Sequence, residues 1–209
     1  MFKNRIDAAI QLADELKDYK NSDSIILAIP RGGVPLGKWV AGTLNLPLEL
    51  VLSKKISHPL HKEYAIGAVS LESRVLDDTI EVSGEYIEKE TKRLRQLLRE
   101  RFSWYYKANA SLPITGKRVI IIDDGIATGY TMLSTLELIH QHRPKKVILA
   151  VPVAPPAAIK RLEDSPYVDQ VVSLLIPDNF KAVGQFYLDF HQVSDEEVKV
   201  LMGFKKVLG

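Results

Sequence analysis

The stretch Val119-Ile120-Ile121-Ile122-Asp123-Asp124-Gly125-Ile126-Ala127-Thr128-Gly129-Tyr130-Thr131-Met132-Leu133 decides how this chain is read. Four β-branched residues in a row suit a strand buried on both faces, as in the middle of a parallel sheet. Two carboxylates stand at its end, where open α/β sheets bind ligands. Adjacent carboxylates repel each other unless something pairs with them, and neighbouring hydroxyls of a diol are suitable partners. The small-residue loop that follows runs into a helical pattern. A helix N-terminus carries unpaired N–H groups and a positive dipole end, both of which attract a monophosphate. Thr128 and Thr131 add hydroxyl donors. The segment therefore offers a diol clamp followed by a phosphate cradle, the spacing of a ribose 5-phosphate. Singly, an acidic strand end or a Thr-Gly turn would be bland; their order and direct adjacency favour the site.

Working outward, the pattern alternates strands and helices. Residues 117–123, 146–152 and 168–175 read as strands, separated by helices at 130–142 and 156–163. On the N-terminal side, residues 3–19 form an amphipathic helix, 24–29 a buried strand, 35–44 a helix and 48–53 a second strand. The expected fold class is α/β, a mainly parallel twisted sheet with helices on both faces. Residues 54–66 lack a period and read as a flexible loop, 68–71 with 75–76 as a hairpin, and 83–107 as a long helix within an insertion at about 83–108. The tail from 177 to 209 ends in a helix opened by Ser194 with Glu197 three residues on, a capping box. One domain spanning 1–209 is expected.

The 209 residues contain no cysteine, which excludes disulfides and a cysteine nucleophile. The net charge of +2 points to neither nucleic acid nor membrane, so any anion site must be local. No apolar run reaches the roughly 18 residues of a membrane span, and no signal core follows Met1; a cytoplasmic protein is the expectation.

Val119 to Thr131 resembles the phosphoribosyl-pyrophosphate signature of the type I phosphoribosyltransferases: four apolar residues, two acids, then a loop ending in Thr-Gly-x-Thr. The whole chain is similar to a group of uncharacterised bacterial proteins of that family. It shares with them Pro30-Arg31-Gly32-Gly33, Glu63-Tyr64-Ala65-Ile66-Gly67-Ala68, and the stretch Asp178-Asn179-Phe180-Lys181-Ala182-Val183-Gly184.

The resemblance implies transfer of a phosphoribosyl group to a nitrogenous base with release of pyrophosphate. Asp123 and Asp124 would hold the ribose hydroxyls. Gly125 and the loop Ala127, Thr128, Gly129, Tyr130 and Thr131 would wrap the 5-phosphate. Arg31, Gly32 and Gly33 would form the pyrophosphate loop, whose peptide in the family is often cis, and Lys54 or Lys55 would touch the pyrophosphate. Magnesium (Mg2+) would be held through substrate and water, with no direct protein ligand. Residues 56–66, with His58, His61 and Glu63, match the family's mobile loop. Phe180, Phe186 and Tyr187 fall in the hood over the base. A homodimer is a compatible assembly. Ala127 stands where enzymes of 6-oxopurine salvage carry an Asp, so the acceptor base stays open. The rival reading is a non-catalytic protein of the same fold that binds the sugar diphosphate or a nucleotide and regulates.

Overall fold

The computed structural model describes residues 1–61, 64–77, 80–106 and 112–203. Its core is a five-stranded sheet: β1 (Ser24–Ala28), β2 (Leu48–Leu50), β6 (Arg118–Ile122), β7 (Lys146–Val153) and β8 (Gln170–Leu175). All pairings in it are parallel, in the order β2-β1-β6-β7-β8. The run of β-branched residues at 119–122 forms the central strand, every one of them buried, as its sequence requires.

Alternate side chains of that strand feed different layers. Ile120 and Ile122 pack with α1 (Arg5–Glu15) and α2 (Gly33–Leu44) through Leu12, Leu36 and Val40. Val119 and Ile121 pack on the other face with α4 (Tyr130–His140) and α5 (Pro156–Glu163) through Leu136, Ile139 and Leu162. This is the period-2 alternation of a strand covered on both sides.

β1 continues to β2 on one side while its other neighbour, β6, comes much later in the chain. The strand order thus reverses between β1 and β6. Such a switch point opens a crevice at the carboxyl ends of the strands, where ligands bind. Pro30 to Gly33 and Asp123 to Gly129 are the two loops that leave those ends.

The segment expected as a loop at 54–66 is partly strand. β3 (Lys54–Ser57) pairs antiparallel with β4 (Ala65–Val69), which pairs with β5 (Arg74–Leu76), making a separate three-stranded sheet. Lys54 and Lys55 therefore begin a hairpin rather than end the second strand, which stops at Leu50. The hairpin is stabilised by burial of Ile56, Ile66 and Val69 against Leu94 and Leu98 of α3 (Gly84–Tyr106). Helix 3–19 divides into α1 and a short 3-10 turn at Lys17–Tyr19. α6 (Asp195–Leu201) starts at Ser194, whose side chain accepts from the Glu197 N–H.

Candidate active site

A cavity of about 380 Å³ lies at the β1/β6 switch point, inside the range of small-molecule sites. Its walls bring together Asp123, Gly125, Ala127, Thr128, Gly129 and Thr131 from the central loop. Pro30, Ser53, Lys54, Lys55 and Arg101 face them. Most of the residues singled out in the sequence thus share one space, although they come from segments far apart in the chain.

The loop between β6 and α4 departs from regular structure at its end. Gly129 sits at the helix N-cap with φ +81, a left-handed conformation that glycine adopts without a steric penalty. No side chain caps the first turn of α4, leaving its N–H groups for a ligand. Ile126 anchors the loop by donating to the Val153 carbonyl at 2.9 Å. Arg161, on α5, donates to the Thr128 carbonyl and lies 4.2 Å over the Tyr130 ring. Tyr130 itself is exposed, with its ring against Arg161.

The two acids face different ways. Asp123 lines the cavity, and its Oδ1 accepts from the Asp124 N–H at 2.8 Å. Asp124 turns beneath the loop at 30–33, where Arg5 Nε and Nη2 donate to its Oδ2 at 3.0 and 2.8 Å. Arg5 is buried, lies 3.9 Å over the Phe190 ring and donates to the His191 carbonyl. Tyr187 donates its hydroxyl to the Asp124 carbonyl at 2.6 Å. Burial and the neighbouring charge of Asp124 hold the Asp123 carboxyl well above the usual carboxylate range. Burial also raises Asp124, against the opposing pull of Arg5.

The Pro30–Arg31 peptide is cis, as the resemblance implied. Gly32 and Gly33 serve by their lack of a side chain. A Cβ on Gly32 would lie 1.9 Å from Asp124 Oδ2, and one on Gly33 would lie 2.6 Å from the Ile122 carbonyl oxygen. The two glycines let the loop rest directly on the acidic strand end. Arg31 points away to Asp195, at 3.5 Å, and Asp195 also accepts from the Tyr105 hydroxyl. Arg31, Gly32, Gly33, Asp124 and Tyr130 are therefore neighbours of the cavity and not part of its described lining.

Lys54 has its ammonium pKa lowered, first by burial and then by the charges of Arg101 and Arg31. Ser53 and Thr135 hydroxyls meet at 3.1 Å, tying the start of the hairpin to α4. Phe180 and Phe186 stack on each other at 5.5 Å, and Tyr187 is buried against Phe2 and Phe190. His58 and His61 stack in the hairpin connection, while Glu63 lies outside the described residues. Sequence reading missed Arg5, Arg101 and Arg161. Each meets residues distant in the chain, and no local pattern marks it.

Residues 2–191 match the phosphoribosyl transferase domain. The chain belongs to the phosphoribosyl transferase family. A Mycobacterium tuberculosis (strain H37Rv) protein assigned provisionally as a phosphoribosyl transferase, Rv0571c, is 38% identical over 205 residues, 95% of this chain and 45% of that protein. This member of the family thus spans about half the length of the curated relatives it matches at that level. The hypoxanthine-guanine phosphoribosyltransferase of Sus scrofa is 40% identical over 80 residues, covering 38% of this chain and 34% of that enzyme. Among solved structures, TT1426 from Thermus thermophilus superposes with a TM-score of 0.87 at 36% identity, over 96% of this chain and 97% of that one. A Neisseria gonorrhoeae protein solved with ppGpp shares the fold, with a TM-score of 0.52 at 14% identity over 97% of each chain. No helix of the described residues is long and apolar enough to cross a membrane.

Proposed function

We propose that this chain transfers the 5-phosphoribosyl group of phosphoribosyl pyrophosphate to a nitrogenous base. The observation that carries the reading is the joint placement of Asp123, the uncapped α4 terminus and Lys54–Lys55 around one cavity. The N–H groups of the loop and the hydroxyls of Thr128 and Thr131 hold the 5-phosphate. Asp123 accepts from a ribose hydroxyl, and the hairpin lysines face the diphosphate. Asp124 supports the loop at 30–33 from below, with Arg5 as its counter-ion.

Displacement at the anomeric carbon proceeds through a cationic sugar, so positioning and electrostatic stabilisation do most of the work. Asp123 lies where its negative charge balances that of the developing cation, and the lysines accept the charge of the departing diphosphate. The donor set fits magnesium carried by substrate. Mg2+ takes oxygen ligands and is commonly held by one or two carboxylates plus substrate phosphates, and Asp123 is the lining carboxylate. When bound, the ion would neutralise the leaving group.

The test is turnover. Incubation with the sugar diphosphate, Mg2+ and a panel of purine and pyrimidine bases should release pyrophosphate with at least one base. Thr128→Ala should weaken ribose 5-phosphate binding about tenfold or more, the worth of a hydrogen bond to a charged group. Tight binding without turnover for any base would leave a regulatory sensor as the function. No binding would refute the site.

A further inference from the structure

The cavity holds a cation that the sequence pattern gave no reason to select. α3 presents Leu94, Leu98 and Tyr105 on one stripe, and all three are buried. Arg101 occupies the same stripe, between Leu98 and Tyr105 at helical spacing, and lines the cavity beside Leu98 and Lys54. Arg101 is half-buried there, and a partly desolvated charge gains from a partner of opposite sign. Among the described residues Arg101 makes no ion pair. Arg101 and Arg31 both bear on the neighbouring Lys54 with like charge, opposed by Asp195.

Its placement is nevertheless fixed. Leu98 packs in the cluster with Ile56, Ile66 and Val69, and Tyr105 is bonded to Asp195. These contacts flank Arg101 on both sides and set the rotation of the helix. The carboxylate that could serve the cation cluster, Asp195, is already engaged by Arg31 and Tyr105. Lys54 and Arg101 thus line the cavity together, and Asp123 is the acid of the described lining. Arg31, which the sequence put forward for this task, is turned aside.

We propose that Arg101 is the guanidinium of the diphosphate subsite, reaching the ligand from α3 together with Lys54. A guanidinium presents paired N–H donors that match phosphate oxygens, so it adds orientation as well as charge. The diphosphate supplies the missing counter-ion of the seam. The phosphate cradle at α4 and the Arg101–Lys54 wall then divide the ligand: monophosphate on one side, diphosphate on the other. This inference rests on the transferase reading of the same cavity.

Calorimetric titrations of wild type, Arg101→Met and Arg101→Lys with inorganic pyrophosphate and, separately, ribose 5-phosphate, each with Mg2+, test it. Far-ultraviolet circular dichroism checks that the variants are folded. Arg101→Met should weaken pyrophosphate binding about tenfold to a hundredfold, the loss of a charged hydrogen bond. Ribose 5-phosphate binding should stay within about threefold, and Arg101→Lys should recover part of the loss because charge remains without the fork. Unchanged pyrophosphate binding in Arg101→Met would overturn the inference and leave the transferase reading standing. Equal loss of both probes would make Arg101 a support of the cavity wall and overturn it too. Failure of the wild type to bind either probe would sink the transferase reading and this inference together.

Discussion

Asp123 is held in a position that suits a ligand better than it suits the fold. Its folded-state pKa is raised, chiefly by burial and then by Asp124. The folded state therefore binds this proton more tightly than the unfolded chain, in which the carboxyl titrates near its ordinary value of about 4. Stability from this group is fully present below that value and is lost as pH rises through the folded pKa. Asp123→Asn removes the penalty. The variant should melt above the wild type at neutral pH, and the difference should vanish as pH falls to about 4, measured by thermal melts across the range. The same variant should bind ribose 5-phosphate about tenfold or more weakly. Greater stability with poorer binding is the usual exchange at a functional site.

Asp124 is raised by burial too, but it has a cation beside it that opposes the shift. The Arg5–Asp124 pair leaves side chains only 8% and 15% exposed. Breaking a buried pair by removing one partner costs about 3–5 kcal/mol. Arg5→Met should destabilise the protein by that order in urea at neutral pH. The loss should shrink in acid, where Asp124 becomes neutral and no longer needs a counter-ion. An effect independent of pH would mean that the stem of Arg5 on Phe190 matters more than its charge.

At the scale of elements, α4 and α5 cooperate. The uncapped start of α4 borders the cavity, and Arg161 braces the loop before it through the Thr128 carbonyl and the Tyr130 ring. Arg161→Ala should leave the N–H groups in place but less well ordered. Ribose 5-phosphate affinity should fall about threefold to tenfold, while pyrophosphate affinity stays close to wild type; calorimetry with the two probes separates these. The figure corresponds to one hydrogen bond plus an exposed cation–π contact of about 1 kcal/mol together.

The elements themselves were largely legible beforehand. The strand at 119–122 announces itself by four β-branched residues, and the helix at 156–163 by proline at its start and apolar spacing after it. β3 did not, because Lys-Lys-Ile-Ser is four residues long and mostly polar, and its pairing with β4 carries an irregularity at Ile56–Ser57. Only Ile56 of the four is buried. Within the site, the contiguous loop could be read from its order of residue types. The arginines could not: Arg5 meets Asp124 across 119 positions, and Arg161 meets Thr128 across 33. Such pairings depend on the folded path of the chain. For the same reason the divergence of Asp123 and Asp124 was hidden, since adjacent carboxylates carry no sign of which will find a cation.

Across the whole molecule, the net charge of +2 conceals a local excess of cations at one end of the sheet. An anion that neutralises them should stabilise the fold by mass action. At about a hundredfold excess over its Kd, a ligand contributes about 2.7 kcal/mol. For a domain of this size that raises Tm by about 5–10 °C. The sugar diphosphate with Mg2+ should give that shift in a thermal melt, and added salt should reduce it, because the lining is partly open to solvent and its charges are screened. A shift insensitive to salt would argue for apolar contacts instead.

The central position of β6 has one more consequence. Both of its edges are paired, to β1 and to β7, and its last residue is directly followed by Asp123. Amide protons of Val119 to Ile122 should be among the slowest in the protein to exchange with deuterated water, whereas those of Ala127 and Thr128, a few positions on, belong to exposed residues and should exchange quickly. Asp123 thus stands on a border between the most and the least protected backbone, a place where a rigid mount meets a surface free to mould itself to what arrives.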